Sequence, residues 1–171
     1  MIAFGIDPGS HRTGWGVILA EGGRMSTMGC GVIHADSDAP LSDRVATIFA
    51  GLRAELERHH PDHVFLESMF HHKSARSALV LGHARGVALL AARLTAAPID
   101  ELSPAEVKKA VTGTGRAEKV QVQEMVRIIL GLRERAEVDA SDALAVAIAG
   151  AQRARSPILS LTMRSATRGT R

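Results

Sequence analysis

The sequence predicts an α/β domain built on a mixed five-stranded sheet flanked by helices. Three strand-like runs, separated by turn residues, fill the first 35 positions. Amphipathic helical stretches then alternate with short apolar runs. One of those runs, Val64-Phe65-Leu66, is apolar at every position, as a central strand covered on both faces must be.

Taken in order, residues 2–6 and 15–20 read as strands joined by Asp7-Pro8-Gly9-Ser10-His11-Arg12-Thr13-Gly14, whose proline and glycines break any helix. Residues 24–35 supply a third strand, and a ladder of hairpins is the simplest way to assemble the three. From Leu41 to His60, Leu41, Val45, Ile48, Phe49, Leu52 and Leu56 recur at spacings of three and four, which predicts an amphipathic helix stopped by Pro61. The buried strand 64–66 follows. Ser74 to Thr95 is a long helix with Gly82 and Gly86 in its middle. Helical glycine costs roughly 1 kcal/mol against alanine, so two of them predict another backbone packed close by. Ile99 to Leu102 is a brief strand. Ser103-Pro104-Ala105-Glu106 has the cap, first-turn proline and third-position acid of a helix start. That helix is broken by Thr112-Gly113-Thr114-Gly115. Further helices are expected from Glu118 to Leu130 and from Asp139 to about Arg153.

At 171 residues, 46% of them hydrophobic and 23% charged, the chain suits one ordinary globular domain rather than a disordered segment. No apolar run is long enough to cross a bilayer and no signal peptide is expected, so the cytoplasm is the default location. The lone Cys30 falls in a strand and is expected to pack rather than react. The net charge of +3 is more than accounted for by Arg153, Arg155, Arg164, Arg168 and Arg171. The basicity therefore belongs to the end of the chain, and we expect one folded domain over residues 1–152 with a basic tail over 153–171. Such a tail is either a solvated end or a contact for phosphates.

Chemistry concentrates in four acids. Asp7 ends one apolar strand and Glu67 ends another, and in this topology the two strands are neighbours. Both acids should therefore emerge at one end of the sheet. Alone, Asp7 could as well cap its own turn, and Glu67 could simply leave the sheet edge. Gly9, Gly14 and Gly16 are expected to leave room near Asp7 for a phosphate or nucleic-acid backbone. Asp139 and Asp142, three apart, share a face of the last helix, where they could cap its N-terminus or offer oxygens to a metal. Gathered carboxylates repel and would be forced to hold protons, and oxygen-only ligands suit Mg²⁺ or Mn²⁺. Such a cage could hold two cations roughly 4 Å apart, an arrangement for in-line phosphodiester hydrolysis.

Basic residues stand in two groups. Lys108 and Lys109 lie near the end of one helix, and Arg116 and Lys119 flank the glycine break. They form either a solvated face or a set of phosphate contacts. The break lacks the order of a nucleotide-binding P-loop. Phe70-His71-His72-Lys73 follows Glu67 directly. With aromatics at only 3% of the chain, a loop phenylalanine beside Lys73 and Arg76 suggests stacking on an unpaired base with phosphate contacts nearby. The alternative is a Phe70 folded onto the core. The histidine pairs are not spaced like a zinc site.

The motifs Gly5-Ile6-Asp7-Pro8-Gly9-Ser10 and Thr13-Gly14-Trp15-Gly16 resemble the opening of the RuvC family of Holliday-junction resolvases. The likeness extends through Glu67, Phe70, the run Ser77 to Val87, Val107-Lys108, Glu118 to Gln123 and Asp139 to Ala145, so it spans about residues 2–152. It implies an RNase H-like fold and a homodimer that cuts four-way DNA junctions by paired symmetric nicks. It also implies two Mg²⁺ or Mn²⁺ ions held by Asp7, Glu67, Asp139 and Asp142. Phe70 would touch a base near the junction centre, Lys108 and Lys119 would serve catalysis and DNA binding, and the glycine-bearing helix would form the dimer face. Implied partners are the branch-migration proteins RuvA and RuvB. Competing readings are a ribonuclease H acting on RNA–DNA hybrids, an actin-like kinase or ATPase, for which the chain is short, and a catalytically inactive junction-binding module.

Overall fold

The computed structural model describes residues 1–68 and 74–155. Among them are strands β1 (Ile2–Asp7), β2 (Arg12–Glu21), β3 (Arg24–His34), β4 (His63–Glu67) and β5 (Ile99–Leu102). The helices are α1 (Leu41–His59), α2 (Ala75–Arg93), α3 (Pro104–Thr112), α4 (Lys119–Leu130) and α5 (Val138–Arg155). The sheet order is β3-β2-β1-β4-β5. β1, β2 and β3 form the antiparallel ladder, whereas β4 runs parallel to both β1 and β5. Hairpins require the first arrangement, and the crossover helices α1 and α2 permit the second.

Strand parity decides which side chains meet which layer. Phe4, Ile6, Val17, Val64 and Leu66 point to the layer formed by α1 and α2. Ala3, Ile18 and Phe65 point to the layer formed by α3, α4 and α5. The central helix of that second layer, α5, buries nearly every residue from Ala140 to Ala151. An all-round apolar helix is stable only when sandwiched, and α5 lies between the sheet and the α3–α4 pair.

Three glycines let α5 come so close. A Cβ on Gly5 would lie 2.1 Å from the Ala143 carbonyl oxygen, one on Gly14 would lie 2.0 Å from that of Asp139, and one on Gly16 would meet Leu144 at 2.8 Å. This overturns one expectation, because Gly14 and Gly16 face the last helix rather than a ligand. Gly9 is likewise filled from within: its Cβ position lies 2.0 Å from the Arg12 carbonyl oxygen. On the other face Gly31 makes room for Trp15, whose ring stacks on Phe4 with centroids 6.1 Å apart.

Several boundaries differ from expectation for local reasons. β2 starts at Arg12, earlier than Trp15, because the buried Thr13 hydroxyl donates to the Gly9 carbonyl at 2.8 Å and closes the turn early. α3 ends where Gly113 adopts a left-handed conformation with φ 82°. α5 continues through Arg155, two residues past the expected helix end near Arg153, and Arg153 donates to the Glu101 carbonyl at 3.0 Å. Within the described chain nothing packs against Gly82 or Gly86, so the close backbone expected there is not supplied from within. Cys30 is half-buried in β3, and burial pushes its thiol up. No helix among the described residues is long and apolar enough to cross a membrane.

Candidate active site

Asp7 and Glu67 follow Gly5 and Phe65 by two residues, so alternation turns both toward the α5 layer. Gly5 and Phe65 are register partners across β1 and β4, as are Ile6 and Leu66. The two acids thus leave adjacent strands at the same level. α5 is pressed onto β1 and β2 at Gly5, Gly14 and Gly16, which delivers its first turns to the same place. Oxygens of Asp7, Asp139 and Asp142 all lie within 4.8 Å of one another. Glu67 lines the adjoining cleft with Pro104, Val107, Lys108, Lys119, Val122, Asp142 and Ala145.

Capping accounts for neither helix acid. The helix begins at Val138, so Asp139 is already inside the first turn. Its Oδ2 accepts from Arg12 Nε at 2.5 Å, while Asp142 Oδ2 pairs with Lys119 Nζ at 2.6 Å.

The electrostatics are those of crowded, largely buried carboxylates. Burial pushes the Asp7 carboxyl up to about 8, and the charges of Glu67, Asp142 and Asp139 add to the effect. Glu67 is raised mainly by burial and then by Asp142, with a hydrogen bond to Asp7 and the charges of Lys119 and Lys108 pulling the other way. Asp142 is also raised by burial, against its contact with Lys119. Burial pulls the Lys119 ammonium down, but its hydrogen bond and charge contacts with Asp142, then Asp7 and Asp139, hold it above its usual range. An all-carboxylate donor set under such repulsion fits a hard divalent cation.

This electrostatic strain yields a stability prediction for metal-stripped protein. A carboxyl raised in the folded state stays protonated there while the unfolded chain releases its proton. The stability it contributes is therefore complete below about pH 4 and is lost as pH rises toward 8. Thermal melts in chelator should show folding weaken across that window, and Asp7→Asn should flatten the dependence. An unchanged slope in the variant would place the titration elsewhere.

The remaining basic candidates scatter. Lys108 reaches the cleft, whereas Lys109 and Arg116 are solvent-exposed and do not line it, and Arg76 is exposed at the start of α2. Phe70 and Lys73 lie outside the described residues. Two residues near the site carry no local sequence signal. Arg12 grips Asp139 and also pairs with Glu137. Arg85 donates to the Glu67 carbonyl at 2.9 Å and pairs with Glu101.

A mixed sheet presenting acids at the ends of β1 and β4, closed by acids on the last helix, defines an RNase H-like fold, and the acid cluster fits a divalent-metal nuclease. The profile of the family described as "Crossover junction endodeoxyribonuclease RuvC" matches residues 3–150. A crossover junction endodeoxyribonuclease RuvC of Syntrophotalea carbinolica is 51% identical over 148 residues, covering 86% of this chain and 92% of the relative. One from Methylorubrum populi is 49% identical over 144 residues, covering 84% and 76%. Among solved structures, Thermus thermophilus RuvC matches with TM-score 0.83 at 35% identity, over 91% of this chain and 96% of that one. The same protein in complex with Holliday junction substrate matches with TM-score 0.83 at 33% identity and the same coverage. The chain belongs to the RuvC family of crossover junction endodeoxyribonucleases, which are hydrolases.

Proposed function

We propose that this protein resolves four-way DNA junctions in recombination and repair, cutting two opposing strands symmetrically as a homodimer. The observation that carries this reading is the convergence of Asp7, Glu67, Asp139 and Asp142 beside Lys108 and Lys119, within a chain of this family. The four acids would hold two Mg²⁺ or Mn²⁺ ions. Such ions, when bound, supply a low-pKa water and Lewis-acid relief of transition-state charge.

The chain's own residues do the rest. The carboxylates fix the geometry, because α5 is locked on the sheet. Lys119, already drawn in by Asp142, is placed to meet phosphate charge once the acids are neutralised, with Lys108 across the cleft. The apolar floor of Pro104, Val107, Val122 and Ala145 keeps the cleft partly dry, which strengthens every charge contact within it. Lys73, Arg76, Lys109 and Arg116 are assigned to phosphates outside the cleft. Phe70, which follows Glu67 by three positions, is assigned to a base at the junction centre.

For the dimer we assign α2. Leu79, Gly82, Gly86, Leu90 and Leu94 share one face, with Leu79 at 65% exposure and Gly82 and Gly86 uncovered. An exposed apolar stripe with two glycines suits a second helix packed closely. A two-fold dimer places identical centres on opposing strands of a nearly two-fold junction. The cytoplasm, residues 1–152 as the nuclease domain, a basic tail continuing the chain beyond it, and RuvA and RuvB as partners complete the reading.

The test is cleavage of a synthetic four-way junction in Mg²⁺ or Mn²⁺, beside linear duplex and RNA–DNA hybrid, using protein whose mass in solution is measured. A dimer cutting the junction in paired nicks is expected. Equal cutting of linear duplex would overturn junction selectivity, and a monomer that prefers the hybrid would indicate a ribonuclease H.

A further inference from the structure

We propose that Arg12 is a positioning residue for the acid cage: it sets the orientation of Asp139, and Glu137 holds Arg12 in place to do so. This inference rests on reading the acids as a divalent-metal site.

Arg12 opens β2 at a fixed point, because Thr13 is buried and both its hydroxyl and the Gly9 amide tie the preceding turn together. Arg12 and Gly14 are two apart on one strand and so share the face turned toward α5. Gly14 brings the backbone of Asp139 against the sheet. Arg12 then takes the Asp139 side chain through Nε on Oδ2 at 2.5 Å, while its terminal nitrogen pairs with Glu137. Backbone and carboxylate of one acid are thus fixed by two residues of one strand. The grip engages Oδ2, and a carboxylate oxygen of Asp139 lies within 4.8 Å of oxygens of Asp7 and Asp142. Such outer hydrogen bonds orient ligands and typically govern 10–100-fold in metal affinity.

A guanidinium near the cage also repels a cation, and this opposing effect has to be weighed. Glu137 pairs with the same group and largely cancels its charge, so orientation is what survives. Both Arg12 and Glu137 have half-exposed side chains, at 48% and 49%, so removing either leaves no buried orphan and should not threaten the fold.

The test uses the full chain without DNA and titrates Mn²⁺ alone, following free ion by electron paramagnetic resonance. Arg12→Ala is expected to weaken Mn²⁺ roughly tenfold. Arg12→Lys should fall between, since a point ammonium cannot span two carboxylates as the planar fork does. Glu137→Gln should weaken Mn²⁺ a few-fold, but have no effect when Arg12 is already Ala. Unchanged Mn²⁺ affinity in Arg12→Ala, with native circular dichroism, overturns the proposal, and does so equally if only junction affinity falls. Asp142→Asn separates the two readings. If it loses Mn²⁺ while Arg12→Ala does not, the Arg12 role alone fails. If it too binds normally, the metal-site reading beneath it fails.

Discussion

Asp7→Asn is expected to lower junction cleavage by roughly 10³-fold or more, while junction binding changes little. Asp7 interacts with all three other acids: it bonds to Glu67 and lies within reach of both helix acids. Asparagine has nearly the same shape, so the buried site keeps its packing, but one ligand charge is lost where cations must be held. The amide also cannot accept a proton, so it cannot act on water even if an ion is retained. Junction binding draws instead on lysines and arginines against phosphate, and removing a negative charge can only help it. Single-turnover cleavage in Mg²⁺, with gel shifts in Ca²⁺, measures the two separately. Collapse of both would make Asp7 a structural residue and the cage reading wrong.

Gly14→Ala is expected to cost about 3 kcal/mol or more in folding stability and to weaken Mn²⁺ binding in whatever protein remains folded. The new methyl would sit 2.0 Å from the Asp139 carbonyl oxygen, a main-chain atom with nowhere to go. Gly5 and Gly16 pin α5 further along, so relief comes only by lifting its first turns, which carry Asp139 and Asp142. Alanine in place of glycine gains only about 0.4–1 kcal/mol by restricting the unfolded chain, too little to offset such a clash. Denaturant unfolding and Mn²⁺ titration read the two effects. A variant of native stability and affinity would show that the helix does not seat as tightly as described.

The sheet was legible because its connections leave little choice: short turns force hairpins at the start, and helices between later strands allow parallel pairing. That placed β1 beside β4 and hence Asp7 beside Glu67. The glycines were misread for a physical reason. A missing side chain marks close approach without saying what approaches, and at Gly14 and Gly16 it is α5. Asp139 and Asp142 were found by their placement ahead of an apolar helix, yet their keepers were not equally visible. Lys119 stood out beside a glycine break, whereas Arg12 meets Asp139 across 127 positions, and no periodicity connects residues that far apart. The anchoring of Arg153 was hidden too, because it looks like tail charge until its bond to the Glu101 carbonyl is seen.

The seating of α5 in the sheet has a consequence during synthesis. Asp7 and Glu67 leave the ribosome early, but the pocket stays incomplete until Asp142 and the buried run through Ala151 have followed and docked. A chain that ends before α5 therefore carries only two of the four acids, and the cleft that Glu67 lines with Asp142 and Ala145 does not yet exist.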